Sequence, residues 1–419
     1  MRYQTKIILS AAFILLFSLV FQVNTQDHFY LQLISFDKSS NIYERLKGLE
    51  LDFLMEWERK IYALAAPEIL LQLEYKGISY SLASLPGNQF PTQFSSLSSI
   101  NGAYHSYGEL ERDLKQLSDS YPQICSLISL GTSLENRNIY ALKISDNVAI
   151  EENEARVLFL GCHHAREWIS VEIPFLIAKH LVENYHSNPA IKNLVDRAEI
   201  WFVPMVNPDG LEYSIHFYRY WRKNRRTHGN GQFGVDLNRN YSYQWGYDNS
   251  GSSPDPSSDV YRGKSAFSEP ESFAVKKLGE QTTFHALISY HSYSQVILYP
   301  WGYTTQQAPG KTLMESLASK MSEAMEKVNG RKYSWGQTGS SLYLTNGDTI
   351  DWVYGNFGIP AFTIELPPVD LLRGGFFNAE SDIQLIFEEN LPAALILIEW
   401  TTETFNESIL NQAERLKPS

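Results

Sequence analysis

Cysteine is almost missing from this chain. Cys125 and Cys162 are the only two in 419 residues, which excludes a disulfide-framework scaffold. They could pair, or stand as buried free thiols. Positive charge is also short: 35 Lys and Arg against 47 Asp and Glu leave a formal net charge of -12. That balance argues against nucleic acid or an anionic membrane surface as a partner. No second apolar run follows the first one as a stop-transfer segment, and there are no internal repeats or charge blocks. Between Lys76 and Arg112 there is no Lys or Arg at all.

What is present begins with Arg2 and Lys6 ahead of an apolar run over residues 7–20, then small and polar residues to Thr25. This reads as a signal peptide over residues 1–25, too short for a spanning helix, so the mature protein is expected outside the cell, or in the periplasm if bacterial. Residues 29–85 read as a small α+β unit: strand 30–36, helix 41–47, strand 49–57, helix 67–75 with Pro67 in its first turn, strand 78–82. The Ser, Pro and Gly of residues 86–99 mark a boundary.

From Tyr107 onward, helical patterns (107–121, 168–185, 269–281, 311–329, 383–402) alternate with apolar strands (124–130, 140–144, 157–162, 200–206, 286–290, 361–366). The alternation predicts an α/β domain with a mixed, mainly parallel sheet and helices on both faces. Hydrophobic residues make up 43% of the chain, enough for a large core. A long irregular stretch, residues 221–267, is rich in Gly, Asn, Ser and Arg, and loops of that length inside a compact domain are often functional.

The chemistry gathers at strand ends. Leu160-Gly161-Cys162-His163-His164-Ala165-Arg166-Glu167 lies where a buried strand turns into a helix, the position at which open α/β sheets place their ligands. Either His163 or His164 could share a cation with Glu167. His291 ends the strand 286–290, and Glu365 ends the strand 361–364. Two His and one Glu would leave a fourth zinc position open, the catalytic pattern, and an ionisable group closing an apolar strand is costly unless it is paired or functional. The loop adds Arg222, Asn238 and Arg239, suited to a carboxylate.

Together these segments resemble the zinc metallocarboxypeptidases of the pancreatic carboxypeptidase A/B type. The resemblance rests on His164-Ala165-Arg166-Glu167-Trp168, Asn207-Pro208-Asp209-Gly210, Trp221-Arg222-Lys223, Asp236-Leu237-Asn238-Arg239-Asn240, His291-Ser292-Tyr293-Ser294, Tyr343 through Ile350-Asp351-Trp352, and Phe362-Thr363-Ile364-Glu365-Leu366. It implies the carboxypeptidase-like zinc exopeptidase fold, with one Zn2+ on His164, Glu167 and His291, and Asp236 orienting His164. It implies Glu365 as the group that activates water and Arg222 as an oxyanion partner. Asn238, Arg239 and Tyr343 would hold the free C-terminal carboxylate of a peptide, and Arg166 and Tyr293 would line the next subsite inward. Residues 26–85 resemble that family's antiparallel α+β pro-domain, notably Leu51-Asp52-Phe53 and Gly77-Ile78-Ser79-Tyr80, which gives a linker over 86–103 and a catalytic domain over 104–419.

Specificity turns on Ile350, where an apolar residue implies hydrophobic or aromatic C-terminal residues. Asp348, two residues earlier, leaves open a second preference for Lys and Arg. The linker lacks any tryptic site, so the activating protease is unidentified, and the disulfide typical of the mammalian enzymes is absent. The expected partners are peptide or protein C-termini, the expected state a monomer, with no nucleic acid and no membrane after signal removal. The competing readings are a related zinc amidohydrolase acting on acidic or cell-wall-type peptides and an inactive binding protein on the same fold.

Overall fold

The structure is a computed structural model and describes residues 32–37, 42–46, 52–57, 59–65, 67–82, 101–229, 231–370 and 373–415. The expected signal segment and residues 86–100 of the expected linker lie outside these. The chain divides into two compact units, Met1–Leu85 and Pro86–Ser419.

The first unit contains strand β1 (Gln32–Asp37), helix α1 (Ile42–Leu46), strands β2 (Asp52–Trp57) and β3 (Lys60–Ala65), helix α2 (Pro67–Tyr75) and strand β4 (Ser81–Leu82). The sheet order is β2-β3-β1-β4, with every pairing antiparallel. Ile34, Phe36, Ile61, Ala63 and Ala65 from the sheet meet Ile42, Leu46, Ile69 and Leu73 from the helices in one core. Strand β3 is an addition to the sequence reading. Its inward positions Ile61, Ala63 and Ala65 are apolar, as on one face of a half-buried strand, but two of them are alanines, whose strand preference is weak. The expected strand over 78–82 shrinks to two residues.

The second unit runs through helix α3 (Tyr107–Ser120), strands β5 (Cys125–Thr132), β6 (Asn138–Ile144) and β7 (Ala155–Leu160), helices α4 (Ile169–Asn184) and α5 (Pro189–Val195), strand β8 (Ala198–Val203) and helix α6 (Pro208–His216). A small ribbon, β9 (Thr227–Gly229) with β10 (Gln232–Phe233), and a 3-10 turn at Leu237–Arg239 fill the long loop. Then come helix α7 (Pro270–Gln281), strands β11 (Ala286–Ser292) and β12 (Val296–Tyr299), helix α8 (Lys311–Asn329), strand β13 (Ser334–Gln337), helices α9 (Thr338–Ser341) and α10 (Thr349–Phe357), strand β14 (Ala361–Leu366) and helix α11 (Asp382–Arg415).

Eight strands form one sheet in the order β13-β12-β14-β11-β7-β8-β6-β5. The four central strands β14, β11, β7 and β8 are mutually parallel, and antiparallel pairings lie outside them. Strand β7 shows why its sequence is apolar throughout: Val157 and Phe159 enter the core on one face, Leu158 and Leu160 the core on the other. Helices α4, α8 and α11 cover the first face and helices α7 and α10 the second, which is the covering a parallel sheet requires. Strands β12 and β13 were not anticipated; each has four residues, too few for a period to declare itself.

On the second face the apolar layer is replaced by polar residues at the carboxyl ends of the central strands. Leu287 is followed on the same side of β11 by Ser289 and His291, and Ala361 on the same side of β14 by Thr363 and Glu365, all buried. Polar groups buried in a row inside a core are stable only with partners. Those partners define the site.

Candidate active site

Gly161 follows the end of strand β7, where the backbone is too crowded for a side chain: a Cβ there would clash with the carbonyl oxygen of Ser170. Cys162 follows with φ of 54°, left-handed backbone that non-glycine residues rarely adopt, and its N–H donates to Ser170 Oγ at 3.1 Å. This turn reverses the chain and delivers His163, His164 and Glu167 to the end of the sheet. Asn207, which caps α6, braces it from below by donating to the carbonyls of His163 and Lys223 at 3.1 and 3.2 Å.

His164, Glu167 and His291 converge, each buried. His164 Nδ1 lies 2.8 Å from Glu167 Oε1, His291 Nδ1 lies 3.0 Å from Glu167 Oε2, and the two Nδ1 atoms are 3.1 Å apart. Tetrahedral ligands about 2.0–2.1 Å from a zinc ion stand roughly 3.3 Å from one another, so the trio has the spacing of a zinc site. The outer nitrogens agree with this. His164 Nε2 is 3.1 Å from Asp236 Oδ1 and His291 Nε2 is 3.2 Å from Ser289 Oγ. A proton on each Nε2 leaves both Nδ1 lone pairs facing inward, as metal ligation requires. His163 points elsewhere and does not join the trio.

Asp236 is fully buried and serves two groups. Its Oδ2 accepts from Arg222 Nε and Nη2 at 3.0 and 2.8 Å, while its Oδ1 faces His164 and caps the 3-10 turn through Asn238 N at 2.9 Å. Burial would raise its pKa, but Arg222 and His164 hold it well below the usual carboxylate range. Glu365 stands opposite His291 in the parallel ladder of β11 and β14, so both side chains leave the same face. Burial pushes the Glu365 carboxyl up to about 8, opposed by the charge of His291.

The remaining candidates surround this centre. Asn238 Nδ2 lies 3.5 Å from His291 Nε2. Arg239 is buried, donates from Nε to the Gly251 carbonyl and from Nη1 to the Asn238 carbonyl, and makes no ion pair among the described residues. Tyr343, 48% exposed, places its ring 5.9 Å from the Arg239 guanidinium carbon. Arg166 and Tyr293 meet on Phe376: the guanidinium lies 4.4 Å from its ring centroid and the Tyr293 ring packs edge-on at 4.8 Å. Phe376 had no signal in the sequence, since it comes from a loop remote from every motif.

Ile350 is buried in the first turn of α10, within the core on the second face. Asp348 is the N-cap of that helix. Its Oδ1 accepts from Asp351 N at 2.8 Å and its Oδ2 accepts the Thr345 hydroxyl. Cys125 and Cys162 are both buried and both free, which settles the pairing question.

A mainly parallel sheet with a His-Glu-His trio at its carboxyl end defines a metal-dependent hydrolase of the zinc exopeptidase class. Residues 110–393 match the zinc carboxypeptidase profile, and the chain belongs to that family, peptidase family M14. It is 32% identical over 365 residues to a zinc carboxypeptidase of Saccharothrix mutabilis subsp. capreolus, covering 85% of this chain and 79% of that one. It is 32% identical over 384 residues to rat carboxypeptidase A1, covering 86% and 89%. The crystal structure of carboxypeptidase A from Helicoverpa armigera shares the fold with a TM-score of 0.72 over 90% of this chain and 98% of that one, at 24% identity. The protein is therefore a metallocarboxypeptidase, and its metal is zinc.

Proposed function

We propose that this enzyme releases single residues from peptide C-termini, with hydrophobic and aromatic residues preferred, and that it is exported and made with residues 26–85 as a pro-domain. The observation that carries the reading of the site is the convergence of His164, Glu167 and His291 beside Glu365, with the buried cation Arg239, which makes no ion pair among the described residues, close by.

In this reading His164, Glu167 and His291 hold the zinc, which supplies Lewis acidity toward the scissile carbonyl and the attacking water. Glu365 removes the proton from that water and returns it to the leaving amine. Arg222 has Nε and Nη2 fixed on Asp236, and its remaining N–H groups serve the developing oxyanion. Arg239, with Asn238 and Tyr343, takes the substrate's terminal carboxylate, because a buried guanidinium with no ion pair among the described residues favours an anion. Arg166, Phe376 and Tyr293 flank the residue one step inward.

Ile350 supports an apolar specificity pocket. Asp348 does not favour a basic one, because both of its oxygens are engaged in capping α10 and in accepting from Thr345. The test is a set of N-blocked dipeptides differing only in the last residue, assayed after removal of the N-terminal unit, with and without a chelator. Chelator-sensitive release of Phe and Leu well ahead of Lys and Arg is expected. Absence of any chelator-sensitive release would sink the reading.

A further inference from the structure

His163 is a buried imidazole that neither ligates the trio nor faces solvent. Its ring lies parallel to that of His291, 13° from coplanar with centroids 5.5 Å apart. Each of its nitrogens has partners on different elements. Nδ1 is 3.3 Å from Ser289 Oγ on β11. Nε2 is 2.8 Å from Tyr241 Oη and 3.2 Å from Thr349 Oγ1 in the first turn of α10. Beyond these lie the two halves of the site. Ser289 Oγ is 3.2 Å from His291 Nε2. Thr349 donates to Asn238 Oδ1 from both its N–H and its hydroxyl, at 2.9 and 2.8 Å.

The network is self-consistent when the Thr349 hydroxyl proton goes to Asn238 and the Tyr241 hydroxyl accepts from His163 rather than donating to it. The Thr349 oxygen is then an acceptor for His163 Nε2–H, so His163 Nδ1 carries a lone pair and accepts from the Ser289 hydroxyl. Ser289, having donated its proton, offers its oxygen to His291 Nε2–H. His291 is thereby left with a bare Nδ1 facing Glu167 and His164. At the other end Asn238 has its carbonyl oxygen doubly occupied by Thr349, which fixes the amide flip and leaves its N–H groups as the end available to an anion.

We propose that His163 is a positioning residue that fixes, through Ser289, the tautomer of the zinc ligand His291 and, through Thr349, the amide orientation of the carboxylate-binding Asn238. The inference rests on the site assignment above. It ties the metal and the carboxylate clamp to one imidazole, so loss of that imidazole disturbs both.

The experiment compares His163→Leu, His163→Asn and His163→Gln in the full chain. Zinc affinity is read by chelator competition; KM and kcat for a C-terminal Phe substrate are read after processing. With His163→Leu, zinc affinity falls about 10- to 100-fold, the usual cost of losing a group behind a metal ligand, and KM rises about ten-fold, as for a weakened hydrogen bond to a charged group. Asn reaches only the Nδ1 position, so it restores zinc affinity and leaves KM high. Gln reaches the Nε2 position and does the reverse. Wild-type zinc affinity and KM in a folded His163→Leu protein, with only thermal stability reduced, would overturn the proposal. If that variant fails to fold, wild-type values of both quantities in the Asn and Gln proteins overturn it equally. His291→Ala separates the two levels: zinc retained at wild-type affinity there refutes the site assignment itself, while zinc lost there but unmoved by every His163 change refutes only the role of His163.

Discussion

Arg222 and Asp236 form a paired contact in which two guanidinium nitrogens converge on the single oxygen Oδ2, leaving Oδ1 for His164. One carboxylate thus orders together the two side chains that we assign to the oxyanion and to the metal. Replacing Asp236 by Asn removes the anion from both. Zinc affinity is expected to fall about 10- to 100-fold, with a drop in kcat/KM at saturating zinc as well, because Arg222 is no longer held. Chelator competition and steady-state kinetics at varied zinc measure the two effects separately.

Glu365 makes no contribution to the trio itself, so its removal separates chemistry from metal binding. Glu365→Gln is expected to keep its zinc, by metal analysis, while kcat falls about 100- to 10,000-fold, the range attributed to general acid-base catalysis. Zinc loss in that variant would place Glu365 among the ligands instead.

Asp348 offers a test of specificity that also reads stability. Asn caps a helix as well as Asp does, so Asp348→Asn should leave thermal stability near wild type, while Asp348→Ala should cost about 1 kcal/mol. In both, the ratio of Lys and Arg release to Phe release is expected to stay constant. A selective loss of Lys and Arg release would show that the carboxylate serves the pocket after all.

His105 predicts a pH dependence of stability away from the active site. Its Nδ1 lies 2.7 Å from Glu172 on α4 and its Nε2 3.3 Å from Asp113 on α3. Burial opposes its charge, but the hydrogen bonds and charges of Glu172 and then Asp113 outweigh it and raise the pKa from 6.5 to about 9. A raised pKa in the folded state stabilises fully below 6.5 and loses that contribution as pH climbs through about 9. The difference in unfolding midpoint between wild type and His105→Gln should therefore be large near about pH 6 and shrink toward about pH 10.

The central sheet was legible because β7, β11 and β14 are buried on both faces and read as continuous apolar runs. Strands β12 and β13 were hidden by their brevity, and β3 by the alanines at two of its inward positions. Glu167 with either His163 or His164 was legible as a local pair, the resemblance choosing His164, and His291 and Glu365 were legible as polar ends of apolar strands. The network around His163 was not legible, since Tyr241, Ser289 and Thr349 are 78, 126 and 186 residues away from it in the chain. Only the sheet order brings them to one ring. Local pattern cannot report such a meeting, and the resemblance to known relatives assigned nothing to that position.

Cys125 and Cys162, free and buried, leave the native fold with no disulfide to form. No sulfur pairing has to be found during refolding, and any disulfide that the unfolded chain acquires is non-native. Production in a reducing host cytoplasm and handling under a non-chelating phosphine reductant should yield the same folded protein as oxidative secretion.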